Sequence, residues 1–261
     1  RVHIPDSRSV MPGTTGTIMR VTGNKRINTY RLSIRVSTDG FSLYIYKEGD
    51  SKPFEKQQVP VSPGDYPHIA LERALTRERL MELQYDEVEM IVDAPTTRIP
   101  LEEFQREETE AIFYLTYPRL KQASVKVCYE ILPYLEVVEL FAVDSLLLNM
   151  VMQLFPEVQL HSWQGRILES TAKSEQKNIS ICRRMHVCRN SSGIFIYVLK
   201  KKGLHFACTY EVDNPTDALY FVLFTWKKLD FNAHEDLCVL HDYEELADEL
   251  GKYLKNLKTC E

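Results

Sequence analysis

Two segments of this chain carry the same pattern, and that duplication limits the possible folds more than any other feature. Gly40-Phe41-Ser42-Leu43-Tyr44-Ile45-Tyr46-Lys47 is echoed by Gly193-Ile194-Phe195-Ile196-Tyr197-Val198-Leu199-Lys200 at an offset of 153 (193 minus 40). At an offset of 148 (213 minus 65), Asp65 to Leu71 faces Asp213 to Leu219, and Glu87 to Val92 faces Glu235 to Leu240. A supersecondary unit written twice predicts two similar lobes.

Local signals give each copy the order strand, strand, strand, helix, strand. In the first copy, Arg31 to Val36 and Phe41 to Lys47 are rich in aliphatic and aromatic residues and are joined by Ser37-Thr38-Asp39-Gly40. That is a hairpin connection, with glycine where positive φ is easiest. A third strand is expected near Phe54 to Val61. A helix follows from Pro67, with Ile69, Leu71, Leu75 and Leu80 on its apolar face, then a buried strand at Val88 to Val92. The second copy predicts strands at Ile179 to Val187, Ile194 to Lys200 and Leu204 to Val212, a helix from Pro215 to Leu229 and a strand from Asp236 to Leu240. It closes with a helix from Tyr243 to Leu257, whose Leu246, Leu250 and Leu254 share one face at i, i+4, i+8.

Between the copies lies a section without a counterpart: a charged, helix-prone Leu101 to Tyr114, then strands at Ser124 to Leu132 and Val137 to Val143 around Pro133-Tyr134. Asp144 is placed to cap a helix running to Phe155. A short strand at Val158 to Ser162 and a helix from Gln164 to Ala172 lead to the polar stretch Ala172 to Asn178. We therefore expect an N-terminal arm over 1–29, loosely held, and a first lobe over 30–175 with an inserted subdomain at about 97–143. A second lobe covers 176–261.

Composition narrows the function classes. A net charge of −5 supplies no general attraction for nucleic acid, so nucleic acid is not an expected partner. Six cysteines without a Cys-x-x-Cys pair read as reduced core thiols of a cytoplasmic protein. No apolar run approaches the ~20 residues of a membrane helix, so no membrane insertion is expected.

The doubled unit is the pattern of the actin-like and ribonuclease-H-like class. The middle section resembles the inserted subdomain of its type IV pilus assembly and cell-division members: Pro95, Pro100, Leu101 and Glu102-Glu103 sit as in the segment leading in, and Leu140 to Asp144 as in the strand leading out. Leu32 to Leu43 also resembles an uncharacterised Bacteroidetes family of unassigned function, over about Tyr30 to Leu257. The fold expected is α+β, two actin-like βββαβα lobes with a small insertion in the first.

Active members of the class bind ATP between the lobes, which says where to look. Magnesium needs hard oxygen ligands near the first strand; here Arg35 stands at that position and Val36 follows. Phosphate loops need small residues whose amides converge on oxygen. Ser37, Thr38 and Gly40, with Asn190, Ser191 and Gly193, are the only cofactor-binding candidates, and each group also reads as a plain hairpin turn. Where the class places a glycine pair on the last strand, this chain has His241-Asp242. No catalytic residue, metal site or cofactor is expected. Asp242 reads as the cap of the closing helix, and His241-Asp242 as the first pair to mutate.

Two surface features remain. Arg183-Arg184, Arg189 and Lys200 to Lys202 would form a basic edge for an anion or RNA if they converged. The helix from Pro215 is apolar almost all round, with the Tyr220, Phe224 and Lys228 side available to a partner. The leading expectation is a non-catalytic interaction or scaffold module that binds another protein. The alternatives are a nucleotide-binding switch or weak ATPase, and an RNA-associated accessory factor.

Overall fold

A computed structural model describes residues 2–3, 29–62, 64–77, 80–175, 182–200 and 203–260. Along the chain these form β1 (Val2–His3), β2 (Tyr30–Ser37), β3 (Gly40–Lys47), β4 (Glu55–Pro60), α1 (Pro67–Arg77), β5 (Tyr85–Val92), β6 (Thr96–Pro100), α2 (Thr109–Thr116), β7 (Val125–Leu132) and β8 (Val137–Asp144). There follow α3 (Ser145–Leu154), β9 (Gln159–Ser162), α4 (Trp163–Glu175), β10 (Arg184–Asn190), β11 (Gly193–Lys200), β12 (Gly203–Glu211), α5 (Pro215–Lys228), β13 (Leu237–His241), α6 (Ala247–Leu250) and β14 (Leu257–Cys260).

The duplication is realised as two five-stranded sheets of the same order, β4-β3-β2-β5-β9 and β12-β11-β10-β13-β14. In each, the first three strands are antiparallel and the last two run parallel to the central one. The hairpins are equivalent: Ser37 lies opposite Gly40 and Asn190 opposite Gly193. The 148 offset fails at the fourth strand. Ile34 faces Met90, and its counterpart Val187 faces Leu240, so the offset there is 150 (240 minus 90). A two-residue slip leaves each side chain on its original face, and Met90 and Leu240 are both fully buried.

Gly40 and Gly193 are set by the sheets themselves. Their φ values are +144° and +156°, and a Cβ would lie 2.2 Å from the Val59 carbonyl oxygen or 2.1 Å from that of Tyr210. Only glycine lets the third strand approach so closely.

The section without a counterpart occupies the crossover from β5 to β9. In the second lobe that crossover is short, and there the expected closing helix is corrected. Only Ala247–Leu250 is α-helical after a 3-10 turn at Glu244–Leu246, and Leu257–Cys260 is a strand. Leu246, Leu250 and Leu254 are nevertheless all buried, because the turn after Gly251 returns Leu254 to the same apolar layer.

The insertion builds its own sheet, β1-β7-β8-β6. Val125 to Leu132 pairs with Val137 to Asp144 as expected. Val2 and His3 pair with Glu130 and Tyr129, so the start of the expected loose arm is a strand; the rest of that arm to residue 28 lies outside the described residues. One sheet face packs Val127, Tyr129, Val138 and Leu140 on Phe113 of α2. The other sends Cys128, Phe141 and Val143 into the first-lobe core with Leu147, Leu148 and Val151 of α3. Asp144 caps α3, its Oδ1 accepting from the Leu147 amide at 2.8 Å.

Helix α4 joins the three sheets. Its Leu168 and Ala172 pack between Leu132 and Leu135 of the insertion and Cys188, Phe195 and Tyr197 of the second lobe. It runs through Glu175, so the first half of the expected polar boundary is helical, and residues 176–181 lie outside the described residues. On α1, Leu71, Ala74 and Leu75 are buried, but Ile69, placed on that face by its spacing, is 41% exposed.

Candidate functional site

The sequence-predicted cofactor residues sit at the tips of the two hairpins, where the lobes meet. In the first tip the Ser37 hydroxyl lies between Asp39 Oδ1 at 2.6 Å and the Gly40 carbonyl at 3.1 Å.

The second tip is held from across the lobes. Asp93 follows β5, its own amide donating to the Val36 carbonyl at 2.9 Å, which fixes the residue just past the sheet. Its Oδ2 accepts from the Ser191 amide at 2.9 Å and the Ser191 hydroxyl at 2.6 Å. An amide and hydroxyl aimed at one oxygen are what an anion-binding turn offers. A carboxylate of the same chain holds that position. Arg35 is exposed and lies over the Tyr44 ring, its guanidinium carbon 4.4 Å from the centroid.

Among the described residues the hydrogen bonds of His241 do not go to Asp242, whose carboxylate acts on the ring only through its charge. The expected cap is corrected: Asp242 has φ +50°, its amide donates to the Cys260 carbonyl, and the following turn has no side-chain cap. His241 Nε2 instead meets His186 Nδ1 at 3.0 Å, and His186 Nε2 meets Glu175 Oε1 at 3.2 Å. With both rings neutral this row places a proton on His241 Nε2 and another on His186 Nε2, whereas a protonated His186 donates from both nitrogens, to Glu175 and to His241 Nε2. His186 stacks on Tyr197 with centroids 4.8 Å apart, and the Tyr197 hydroxyl meets Thr171 Oγ1 at 2.8 Å. Burial, followed by the neighbouring His186, pulls the His241 pKa down to about 4.

The arginines that would form a basic edge if they converged are engaged separately. Arg183 donates to the Leu229 and Asp230 carbonyls, Arg184 pairs with Glu175 at 3.1 Å, and Arg189 with Glu245 at 3.5 Å. Lys200 is exposed, while Lys201 and Lys202 lie outside the described residues. On α5, Ala218, Val222, Thr225 and Trp226 face the core. Tyr220 and Phe224 are exposed and stacked, with Lys228 over Phe224.

A buried polar network missed by sequence reasoning lies beneath α4. Glu130 and Glu139 are directly opposite on β7 and β8. Glu130 Oε1 meets His161 Nδ1 at 2.6 Å, and Glu139 Oε1 accepts from Arg98 Nη2 at 3.0 Å. Gln164 completes it: Oε1 accepts from the Thr96 hydroxyl and Arg98 Nη2, and Nε2 donates to Thr209 of β12. Glu139 is fully buried, and burial raises its carboxyl pKa. The available signal was a lone glutamate inside each of two apolar strand runs. Among the described residues no group of three His, Cys, Asp or Glu is arranged to hold a metal ion, and all six cysteines are unbridged.

The family model for DUF3822, a protein family of unknown function, matches residues 22–257. The chain belongs to the DUF3822 family. A solved structure from Bacteroides thetaiotaomicron, described as having an actin-like ATPase fold and unknown function, is similar to this DUF3822 chain at 27% identity. The likeness covers 90% of this chain and 92% of that one, with a TM-score of 0.78. The PilM-PilN type IV pilus biogenesis complex shares the fold at 11% identity and a TM-score of 0.50, over 90% of this chain and 89% of that one. No curated protein matches the sequence. The fold of this DUF3822 member is actin-like, two lobes with an inserted sheet. No helix among the described residues is long and apolar enough to cross a membrane.

Proposed function

We propose that this DUF3822 chain is a non-catalytic, actin-like interaction module whose interlobe seam is closed to nucleotide by its own side chains. The observation that carries this is the Asp93 carboxylate on the Ser191 amide and hydroxyl. A γ- or β-phosphate brought to that turn would meet a fixed negative charge in place of free donors, and like charges at such distances repel. Arg35, where a magnesium-organising carboxylate would stand, points the same way. The partner we propose is a protein, as the PilM-PilN complex illustrates for another member of the fold. The division at 175/176, with an insertion at 97–143, belongs to the same reading.

Isothermal titration with Mg-ATP tests it. No binding is expected for the natural chain. Gly40→Val and Gly193→Val are poor controls, because each would disrupt its hairpin; Asp93→Ala is the better one, since it frees the Ser191 donors without entering a core. Micromolar binding by the natural chain would overturn the proposal and favour a nucleotide switch.

A further inference from the structure

The two outer strands β4 and β12 hold equivalent places in their sheets but are built differently. β4 reads Glu-Lys-Gln-Gln-Val-Pro and ends on Pro60. Charged side chains and proline on an outer strand discourage pairing with another chain. β12 reads Gly-Leu-His-Phe-Ala-Cys-Thr-Tyr-Glu, nine residues without lysine, arginine or proline.

The open flank of β12 borders a second outer strand. Thr96, Thr97 and Arg98 of β6 and Leu204, His205, Phe206 and Ala207 of β12 line a groove of about 340 Å³. Each strand has a single neighbour in its own sheet, β8 and β11 respectively. The orientation of their peptide groups follows from two hydrogen bonds. The Tyr117 hydroxyl donates to the Thr96 carbonyl at 2.7 Å, so Thr96 turns away from β8. Antiparallel strands alternate inward and outward residues, so Arg98, two further on, presents its N–H and C=O to the groove as well. On β12 the Val212 amide donates back to the Ser192 carbonyl. Counting down in alternation, Ala207, Thr209 and Glu211 face outward. The register shift at Val198/Leu199 lies beyond Ala207 and does not disturb that count.

One side chain already spans this seam. The carboxamide of Gln164 accepts from Thr96 and Arg98 on the β6 side and donates to Thr209 on the β12 side, at 2.7, 2.6 and 3.1 Å. It is 2% exposed and supplies one acceptor and one donor in opposite directions, as one peptide unit of an inserted strand would. The charge around the groove also has a sign. Exposed Lys200 lies opposite Gly203, at the end of β12 that carries His205, and places a cation beside the groove; desolvation, then Lys200 and Arg183, lower the His205 pKa.

We infer that the groove between β6 and β12 accepts an extended, acidic peptide segment of a partner protein, which pairs through its backbone with the open edges at Arg98 and Ala207. This rests on the reading of the chain as an interaction module and names its surface and partner class. Backbone pairing supplies affinity in such strand addition, and the side chains at alternate positions supply selectivity. An acidic residue in the occupant would sit near His205 and Lys200.

The test pans a phage-displayed library of random twelve-residue peptides against the full chain, then measures the best synthetic peptide by fluorescence anisotropy. Selected sequences should be acidic and free of proline at alternate positions. Ala207→Pro removes only an outward-facing N–H, so it should weaken binding about tenfold or more, as loss of one buried hydrogen bond does, with the melting temperature nearly unchanged. If that variant fails to fold, N-methylation of alternate peptide amides, which leaves the protein untouched, should abolish binding. Hydrogen exchange should slow at the Arg98 and Ala207 amides. The inference is overturned if no peptide is enriched over a control selection, if N-methylated and unmodified peptides bind alike, or if the enriched peptides are basic. It is also overturned if sedimentation shows that the groove is filled by a second copy of the chain. Nucleotide binding would sink the proposed function without producing any of these outcomes, and failure of the peptide test leaves the Mg-ATP result standing.

Discussion

At the level of single residues, the energetically exposed points are the buried acids and histidines rather than the hairpin loops. Glu139 is fully buried, directly opposite Glu130 on the neighbouring strand. Burial, opposed by the Arg98 contact, raises its pKa above the ordinary 4.5, so between that value and the raised one the folded state binds more protons than the unfolded chain. Stability from this group is therefore full below about pH 4.5 and declines as pH rises through the raised folded value. Glu139→Gln keeps the shape and the Arg98 contact while removing the titration. Urea unfolding at a series of pH values should show a flatter alkaline side for the variant; a variant that loses most stability at high pH would contradict this. His241 works in the opposite sense. Its pKa falls from 6.5 to about 4, so the unfolded chain takes up the proton first and stability is lost as pH drops between those values. His241→Gln should lose less over that window, measured the same way, and should leave stability at pH 8 changed little if its amide still donates to His186.

At the level of elements, α4 carries the packing between sheets. Leu168 is fully buried among Leu132, Leu135, Phe195 and Tyr197. Leu168→Ala should cost about 2–5 kcal/mol in chemical denaturation, through lost transfer energy and a cavity. Leu146→Ala on α3, where the side chain is 51% exposed, should stay within about 0.5 kcal/mol. Equal effects would mean that α4 is not the joint. The hairpins and α5 were legible in the sequence because Gly40 and Gly193 mark the turns and the strands beside them are rich in aliphatic and aromatic residues. The last helix was misread because Leu246, Leu250 and Leu254 keep helical spacing, although only tertiary contact decides that the chain turns after Gly251 and adds β14. The Glu130-Glu139 network was illegible for a related reason. A lone glutamate in an apolar strand acquires meaning only from the cross-strand register, and that depends on the β7–β8 turn as a whole. The Asp93 contact with Ser191 spans 98 positions of sequence and had no local signature.

At the level of the whole molecule, the lobes are joined by an apolar seam, by polar contacts from α4 such as Gln164 to Thr209 and Glu175 to His186 and Arg184, and by the Asp93 latch, and the first and last of these differ in magnitude. The apolar seam of Leu132, Leu135, Leu168 and Ala172 against Cys188, Phe195 and Tyr197 is buried. The Asp93 to Ser191 contact is exposed, where charged interactions are screened by water and salt and typically contribute under about 1 kcal/mol. Lobe association should therefore survive loss of the latch, while the local geometry of the second hairpin tip should not. Asp93→Ala is expected to lower global stability by less than about 1 kcal/mol in denaturant unfolding. In the same variant the Ser191 amide should lose its protection in NMR hydrogen exchange, with the amides of β10 and β11 unchanged. The latch then acts as an occupant of the tip's donors rather than as a clamp, consistent with a seam held shut by packing. A loss of several kcal/mol, or loosening spread through both sheets, would reverse that assignment and make Asp93 the element that sets how the lobes sit together.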